Sequence, residues 1–287
     1  MMSHKTWGPL SAIAFLAFSV GCTSSTPTTQ TGSPETQTAN QTATNEQGTL
    51  AVRANGEDFV RQGFTSKDGW KIEFRNVYAT LGDVTAYQTD PPYDAEKDKQ
   101  LSAKQQVSVA KTQTVDLKTT TPDTVVVGEA KAPAGRYNAL SWRMVKPTEG
   151  PAQGYPLMLV GEARKGGKTV DFAIKIDQEL AFSCGDFVGD DRKGNLEAGK
   201  TADLEATFHF DHLFGDAETP MDDDLNKGAL GFEPLAQIAS NGKVDANLAT
   251  LKQKLKPTDY QKLVELLPSL GHVGEGHCKE TIIKAGA

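Results

Sequence analysis

Four histidines lie in two short segments of this 287-residue chain, and no other side chains in it suggest chemistry so clearly. Segment 207–216 places two histidines and two aspartates between apolar residues, and segment 271–278 places two histidines beside a cysteine. The histidines are His209, His212, His272 and His277, with Asp211 between the first two. Imidazole is a common ligand of transition metals, and its neutral form is available near neutral pH. The two segments therefore predict one metal site to which both contribute.

The residues before His212 indicate how the first segment presents its ligands. Apolar residues alternate with polar ones from position 202 to 211, so a strand here would place His209 and Asp211 on one polar face. If Asp211 instead caps a turn, His212 comes to the junction and lies near His209. Both arrangements give a pair of ligands that one ion can reach.

The number and type of these ligands restrict the metal. A closed tetrahedral zinc site takes about four nitrogen, sulfur or oxygen ligands, and His209, His212, His272 and His277 supply that number. Copper accepts the same imidazoles, so the ligands do not separate zinc from copper. Asp211 is then either a ligand or a residue that orients one. The alternative is that the histidines are hydrogen-bonded structural residues at a joint between domains.

Motifs of the common enzyme classes are absent from the sequence: it has no nucleophile elbow, phosphate loop, dinucleotide fingerprint or zinc-protease helix motif. A metal-dependent hydrolase would need an open coordination position and a nearby base, for which Glu275 is the candidate. We therefore expect a protein that is not an enzyme, and we keep the hydrolase as the alternative.

The N-terminal segment predicts export from the cytoplasm. A basic start at Lys5 precedes an apolar run from Leu10 to Val20 that is short for a membrane span. Gly21-Cys22 then resembles the end of a bacterial lipoprotein signal, in which the cysteine is acylated. We predict a signal peptide over 1–21, lipidation of Cys22 and an extracytoplasmic protein, periplasmic or at the cell surface. The alternative is a soluble secreted protein with a free cysteine.

The composition after Cys22 restricts both structure and partners. Residues 22–48 are rich in Ser, Thr and Gln and have no large apolar side chain, so we predict a disordered tether. Without Lys5 the chain has 29 basic and 37 acidic residues, a formal charge of −8. This charge argues against nucleic acid and suits a cation. The expected partners are a metal ion, the membrane through the N-terminal lipid, and a protein that exchanges the metal.

Two cysteines remain beyond Cys22, namely Cys184 and Cys278. In an oxidising compartment two thiols most simply form one disulfide. That bond would hold the C-terminal segment, with its histidines, against the domain that carries Cys184. The alternative is that Cys278, next to His277, binds the metal as a thiolate.

Short β-rich runs recur from Thr49 onward and are separated by Gly, Pro and Asp clusters. This pattern is typical of a mainly β protein, here an antiparallel β-sandwich of the immunoglobulin or transthyretin kind over 49–218. Alternation around Trp70 and Trp142 predicts that both are core residues. Residues 219–287 predict a small α-helical appendage that ends in the His/Cys loop. Its helices are expected at 232–239, 245–255 and 258–267, with Asp245 and Thr258 as N-caps.

Several motifs resemble those of a known family. The segments are Thr114-Val115-Asp116-Leu117, Val125–Glu129, Ala132-Pro133-Ala134-Gly135-Arg136-Tyr137, Phe210-Asp211-His212-Leu213-Phe214-Gly215-Asp216 and a later Gly231-Phe232 stretch. Together they are similar to bacterial extracytoplasmic β-sandwich lipoproteins, in particular the metal-related periplasmic partner proteins of methanobactin uptake. The resemblance implies a sandwich fold and the handling of copper or zinc. The predicted helical appendage departs from that family.

Overall fold

Strands dominate the part of the chain that the structure describes. A computed structural model describes residues 46–119, 122–185, 194–274, 276 and 278–283. The predicted signal peptide, Cys22, residues 22–45 of the predicted tether, Glu275 and His277 lie outside the described residues. The last residues of the predicted tether belong to the first strand, which begins at Gln47.

The strands are β1 (Gln47–Asn55), β2 (Phe64–Thr65), β3 (Lys71–Gln88), β4 (Gln105–Asp116), β5 (Val125–Pro133), β6 (Gly135–Arg136), β7 (Ala139–Met144), β8 (Leu157–Lys165), β9 (Lys168–Ile176), β10 (Leu180–Gly185), β11 (Asn195–Leu196), β12 (Thr201–Phe208), β13 (Lys243–Asn247), β14 (Gly271–His272) and β15 (Cys278–Ile282). The helices are α1 (Glu57–Gln62), α2 (Asp211–Phe214), α3 (Asp224–Gly228), α4 (Glu233–Gln237), α5 (Leu248–Lys254) and α6 (Pro257–Leu266), followed by a 3-10 turn over Pro268–Leu270. No helix in the described ranges has the length and apolar character needed to cross a membrane.

The strands form two main sheets. The smaller sheet has the order β14-β12-β1-β5, and the larger has the order β13-β9-β8-β3-β7-β10-β15, with β2 and β4 also paired to β3. A third, two-stranded sheet joins β6 to β11. The predicted mainly β sandwich is confirmed. Two pairs depart from the antiparallel prediction, because β1 with β12 and β9 with β13 run parallel.

The alternation seen in the sequence directs apolar residues inward. On β1 and β12 the buried side chains include Leu50, Val52 and Leu204, all fully inaccessible. Trp70 and Trp142 are 3% and 1% exposed, which confirms that both are core residues. Each large apolar side chain buried in this way contributes about 1.5–3 kcal/mol, so the sheets gain most of their stability between their faces.

The C-terminal region contains the predicted helices and also three strands, one of which includes His272, so the loop predicted at that residue is wrong. Residues 243–247 form a strand because Val244 and Ala246 are buried on one face while Asp245 points outward to Lys175, 2.7 Å away. The prediction of Asp245 as an N-cap is therefore wrong. Asn247 caps α5 instead, and its side chain accepts from the backbone N–H of Thr250. The predicted Thr258 cap is also wrong, because α6 begins at Pro257.

The last described residues connect the two main sheets. β14 pairs with β12 in the smaller sheet, and β15 pairs with β10 in the larger one. Cys184 and Cys278 face each other in the β10–β15 pair and are joined by a disulfide with an S–S distance of 1.98 Å. The predicted disulfide is confirmed, and the alternative of Cys278 as a thiolate ligand is wrong for this oxidised form. The C-terminal region thus contributes one strand, β14, to the smaller sheet and another, β15, to the larger sheet.

Candidate metal centre

The site forms where β12 ends and α2 begins. Phe210, Leu213 and Phe214 have the i, i+3, i+4 spacing of one helical face, and all three are buried. Phe210 packs on Phe74 with ring centroids 5.8 Å apart. His209 and His212 are also three residues apart and lie together on the outer face, where their rings stack at 5.3 Å with an interplanar angle of 16°. The apolar residues of this segment therefore position its histidines.

Asp211 is the first residue of α2. Its Oδ1 accepts a hydrogen bond from the backbone N–H of His212 at 3.0 Å, and its carbonyl accepts from Gly215 at 2.6 Å. Gly215 ends the helix with a φ of +68°, a conformation that favours glycine. Of the two predicted arrangements, the strand through Asp211 is wrong, because β12 ends at Phe208. The turn that brings His212 to the junction is observed, but the prediction of Asp211 as its cap is wrong, because Phe210 is the N-cap and no side chain caps the helix.

Strand pairing brings the second segment to this junction. Thr207 pairs with His272, and the His209 backbone N–H donates to the Leu270 carbonyl at 3.0 Å. Gly271 allows the close approach, because a Cβ at this position would lie 2.7 Å from a ring carbon of Phe182. The short strand β14 therefore fixes where His272 can lie.

Three imidazole rings consequently lie together. The ring of His272 stands at 4.9 Å from that of His209 and 5.2 Å from that of His212, with interplanar angles of 86° and 89°. The predicted meeting of the two distant segments is observed for these three residues. The position of His277 falls outside the described residues, so its role stays a prediction.

A smaller set within this cluster has metal-binding separations. His209, Asp211 and His212 each offer one ligand atom, and these three atoms lie within 4.8 Å of one another. All three residues are partly buried. His272 is not a member of that set, although its ring contacts two of the members. The arrangement offers two nitrogens and one oxygen to a single position.

Hydrogen-bond partners determine which ring nitrogens carry protons. His212 Nδ1 lies 2.8 Å and His272 Nε2 lies 2.9 Å from the carbonyl oxygen of Ser269. His209 Nδ1 lies 3.1 Å from Oε2 of Glu57. A carbonyl and a carboxylate only accept, so a proton on each of these three ring nitrogens suits the oxygen beside it. In the neutral rings the lone pair is then on Nε2 of His209, Nε2 of His212 and Nδ1 of His272.

Two residues of the site were missed by the sequence prediction. Glu57 lies about 150 positions before the histidines, and the parallel pairing of β1 with β12 brings it to His209. Ser269 contributes its backbone carbonyl, which no side-chain pattern can reveal. Only strand pairing identifies them.

Comparisons with family models, with curated proteins and with solved structures returned no match for this chain. The site is therefore interpreted from its own geometry.

Proposed function

We propose that this chain is a membrane-tethered extracytoplasmic protein that binds one copper or zinc ion and captures, buffers or delivers it. The observation that carries the proposal is that one ring nitrogen of each of the three imidazoles lies within 3.1 Å of a carboxylate or carbonyl oxygen. In metal sites, a ligating histidine commonly donates its other N–H to a carboxylate or a backbone carbonyl, which fixes the ring and its tautomer. His209 and His212 have such partners, in Glu57 and the Ser269 carbonyl.

The separations between donors support binding of a small ion. Zinc–nitrogen bonds of about 2.0–2.1 Å place two tetrahedral ligands about 3.3 Å apart. The ligand atoms of His209, Asp211 and His212 lie within 4.8 Å of one another. Side-chain rotations that move each ligand atom by about 1 Å would therefore complete the site. Asp211 Oδ1 accepts from the His212 backbone, so Oδ2 is the oxygen we propose as the ligand atom.

The donor types favour a borderline metal. Imidazole nitrogens suit zinc and copper, whereas calcium and magnesium take all-oxygen shells. The cysteine nearest in sequence, Cys278, is in a disulfide, so it contributes no thiolate in the oxidised form. Nitrogen and oxygen donors without thiolate suit Zn²⁺ and Cu²⁺.

The number of ligands bears on what the protein does with the ion. His209, Asp211 and His212 fill three positions, and a fourth ligand would come from His272 after a ring rotation, from His277, or from a partner protein. If the fourth ligand is exchangeable, a donor atom of a partner protein can bind the ion in its place before the three fixed ligands release the ion. This suits buffering and delivery, with the acylated Cys22 and the tether holding the site near the membrane. We propose no catalytic step.

The test is the metal content of protein purified without an affinity tag after exposure to equimolar zinc or copper. We expect about one equivalent bound by the wild type and less than about a tenth in a His209→Ala/His212→Ala variant. The matched control is Asp222→Asn/Asp224→Asn, which removes two exposed acids from the nearby 222–224 run and should bind as the wild type does. Wild-type protein below a tenth of an equivalent would sink the proposal. Equal loss in the acidic control would assign binding to surface charge.

A second function has one observation in its favour. His212 and His272 both donate to the Ser269 carbonyl, so they also join α2, the 3-10 turn and β14. Histidines with this role alone would belong to a structural or adhesive sandwich that binds no metal. In that case metal addition leaves the unfolding midpoint unchanged, whereas binding to the folded state must raise it.

A further inference from the structure

Glu57 has an unusual backbone conformation. Its φ is +57°, in the left-handed region that a Cβ disfavours. Among the described residues, the other non-glycine positions with positive φ are Asp83 and Asn241, whose short polar side chains tolerate that region. Glutamate has no such advantage, so the surrounding structure must hold Glu57 there.

A hydrogen-bond network holds this conformation. The Glu57 N–H donates to Oδ1 of Asn55 at 2.8 Å, and Arg61 Nη1 donates to the same oxygen at 2.7 Å. Asn55 Nδ2 donates to Glu205 Oε1 on the neighbouring strand at 2.7 Å. Asn55 is the last residue of β1, so the smaller sheet itself supports the turn into α1.

The same register aims Glu57 at the histidine cluster. Asn55 pairs with Thr207 in the parallel β1–β12 ladder, and two residues further along each chain are Glu57 and His209. Their side chains meet, with Oε2 of Glu57 3.1 Å from Nδ1 of His209. The glutamate side chain is 33% and the histidine side chain 20% accessible, so the contact is partly shielded from water.

We propose that Glu57 is a positioning residue that fixes the Nδ1–H tautomer of His209, so that Nε2 is presented to the metal. The inference rests on the proposed function for its metal step, but the tautomer is a property of the metal-free protein. It explains why a glutamate occupies a position where glycine would be less strained. Conformations of this kind persist where the surroundings enforce them, often at functional sites.

Three variants separate positioning from a structural role. Glu57→Ala removes the carboxylate and keeps the disfavoured backbone, whereas Glu57→Gly removes the carboxylate and relieves it. We expect both to weaken zinc binding by about 10- to 100-fold, measured by competition with a chromophoric chelator. The unfolding midpoint of metal-free Glu57→Gly should be no lower than that of wild type. Glu57→Gln keeps an accepting oxygen and should retain most of the affinity.

Two outcomes would overturn the proposal in protein that binds metal. One is unchanged zinc affinity in both Glu57→Ala and Glu57→Gly. The other is an unfolding midpoint of metal-free Glu57→Gly that falls below that of wild type as its zinc affinity falls. That result would indicate that the contact is structural.

Nitrogen-15 NMR of the His209 ring in metal-free protein makes the test independent of metal binding. We expect protonation at Nδ1 in wild type and Glu57→Gln, and a mixture of tautomers in Glu57→Ala. If the wild type binds no zinc or copper, the proposed function fails, and this spectrum still decides the role of Glu57. If wild type and Glu57→Ala show the same tautomer, the proposed role of Glu57 is overturned.

Discussion

The chain's last described residues are attached to the two sheets in different ways. At the smaller sheet, β14 is held by pairing with β12 and by the hydrogen bonds of His212 and His272 to Ser269. At the larger sheet, β15 is held by pairing with β10 and by the Cys184–Cys278 disulfide. One attachment consists of hydrogen bonds, and the other is covalent.

This difference separates stability from function. β15 is a largely exposed strand that buries little apolar surface, so pairing alone would hold it weakly and the disulfide secures it. With the chain fixed there, the histidine cluster need not stabilise the fold. Its side chains are then available for the ion binding that we propose.

The largest effect on stability is therefore expected from the disulfide. Cys184→Ala/Cys278→Ala removes a link between residues 94 positions apart, which should lower the free energy of unfolding by about 2–5 kcal/mol. Urea unfolding in the presence of a chelator measures this loss. Thr281→Ala, an exposed change on the same strand, is the control. A loss below about 1 kcal/mol would show that the β10–β15 ladder suffices and would remove the contrast between the two attachments.

A smaller loss is expected at the histidine attachment. His272→Ala removes the hydrogen bond from Nε2 to the Ser269 carbonyl, which still accepts from His212. We expect metal-free protein to lose about 0.5–1.5 kcal/mol, the usual net value of one hydrogen bond. The same urea titration in chelator measures it, with wild-type protein run beside it. A loss equal to that of the disulfide variant would mean that the cluster is primarily structural.

The sequence predicted those parts of the molecule that depend on local pattern. Alternating residues predicted the sandwich and the burial of Trp70 and Trp142, and two cysteines in a predicted export compartment predicted their bond. The cluster of histidines within ten residues predicted that His209 pairs with either Asp211 or His212, and the structure selects the turn that brings His212 beside it. In each case the interacting residues are close together in the sequence, or few pairings are possible, as for two cysteines.

Interactions that depend on strand register were not predictable in this way. The sequence predicted a helix from residue 245, yet parallel pairing with β9 makes residues 243–247 a strand. Glu57 reaches His209 only because β1 and β12 run parallel, and Ser269 acts through its backbone. Tertiary pairing decided these positions, and a single sequence does not encode it in composition or spacing.

Helix α4 is attached to Trp70 and Lys165 through Glu233. We expect this third attachment to have the smallest effect on the free energy of unfolding. Glu233 accepts from Nε1 of Trp70 at 2.8 Å and from Nζ of Lys165 at 3.1 Å, and these bonds hold the pKa of the Glu233 carboxyl below its usual value of 4.5. A lowered pKa in the folded state adds stability above pH 4.5 that is lost as pH falls through the folded value. Because the side chain is 41% exposed, we expect less than about 1 kcal/mol.

Glu233→Gln should therefore unfold with a weaker dependence on pH between about pH 5 and pH 3 than the wild type, while remaining close to it in stability at pH 7. Urea midpoints at these pH values measure the difference, and Glu265→Gln on the exposed side of α6 controls for the loss of one carboxylate. The amide still accepts from Trp70, so the core contact of α4 persists in the variant. Parallel pH curves for Glu233→Gln and wild type would show that this attachment depends on the apolar packing of Trp70 against Phe232, 5.5 Å away, and not on charge.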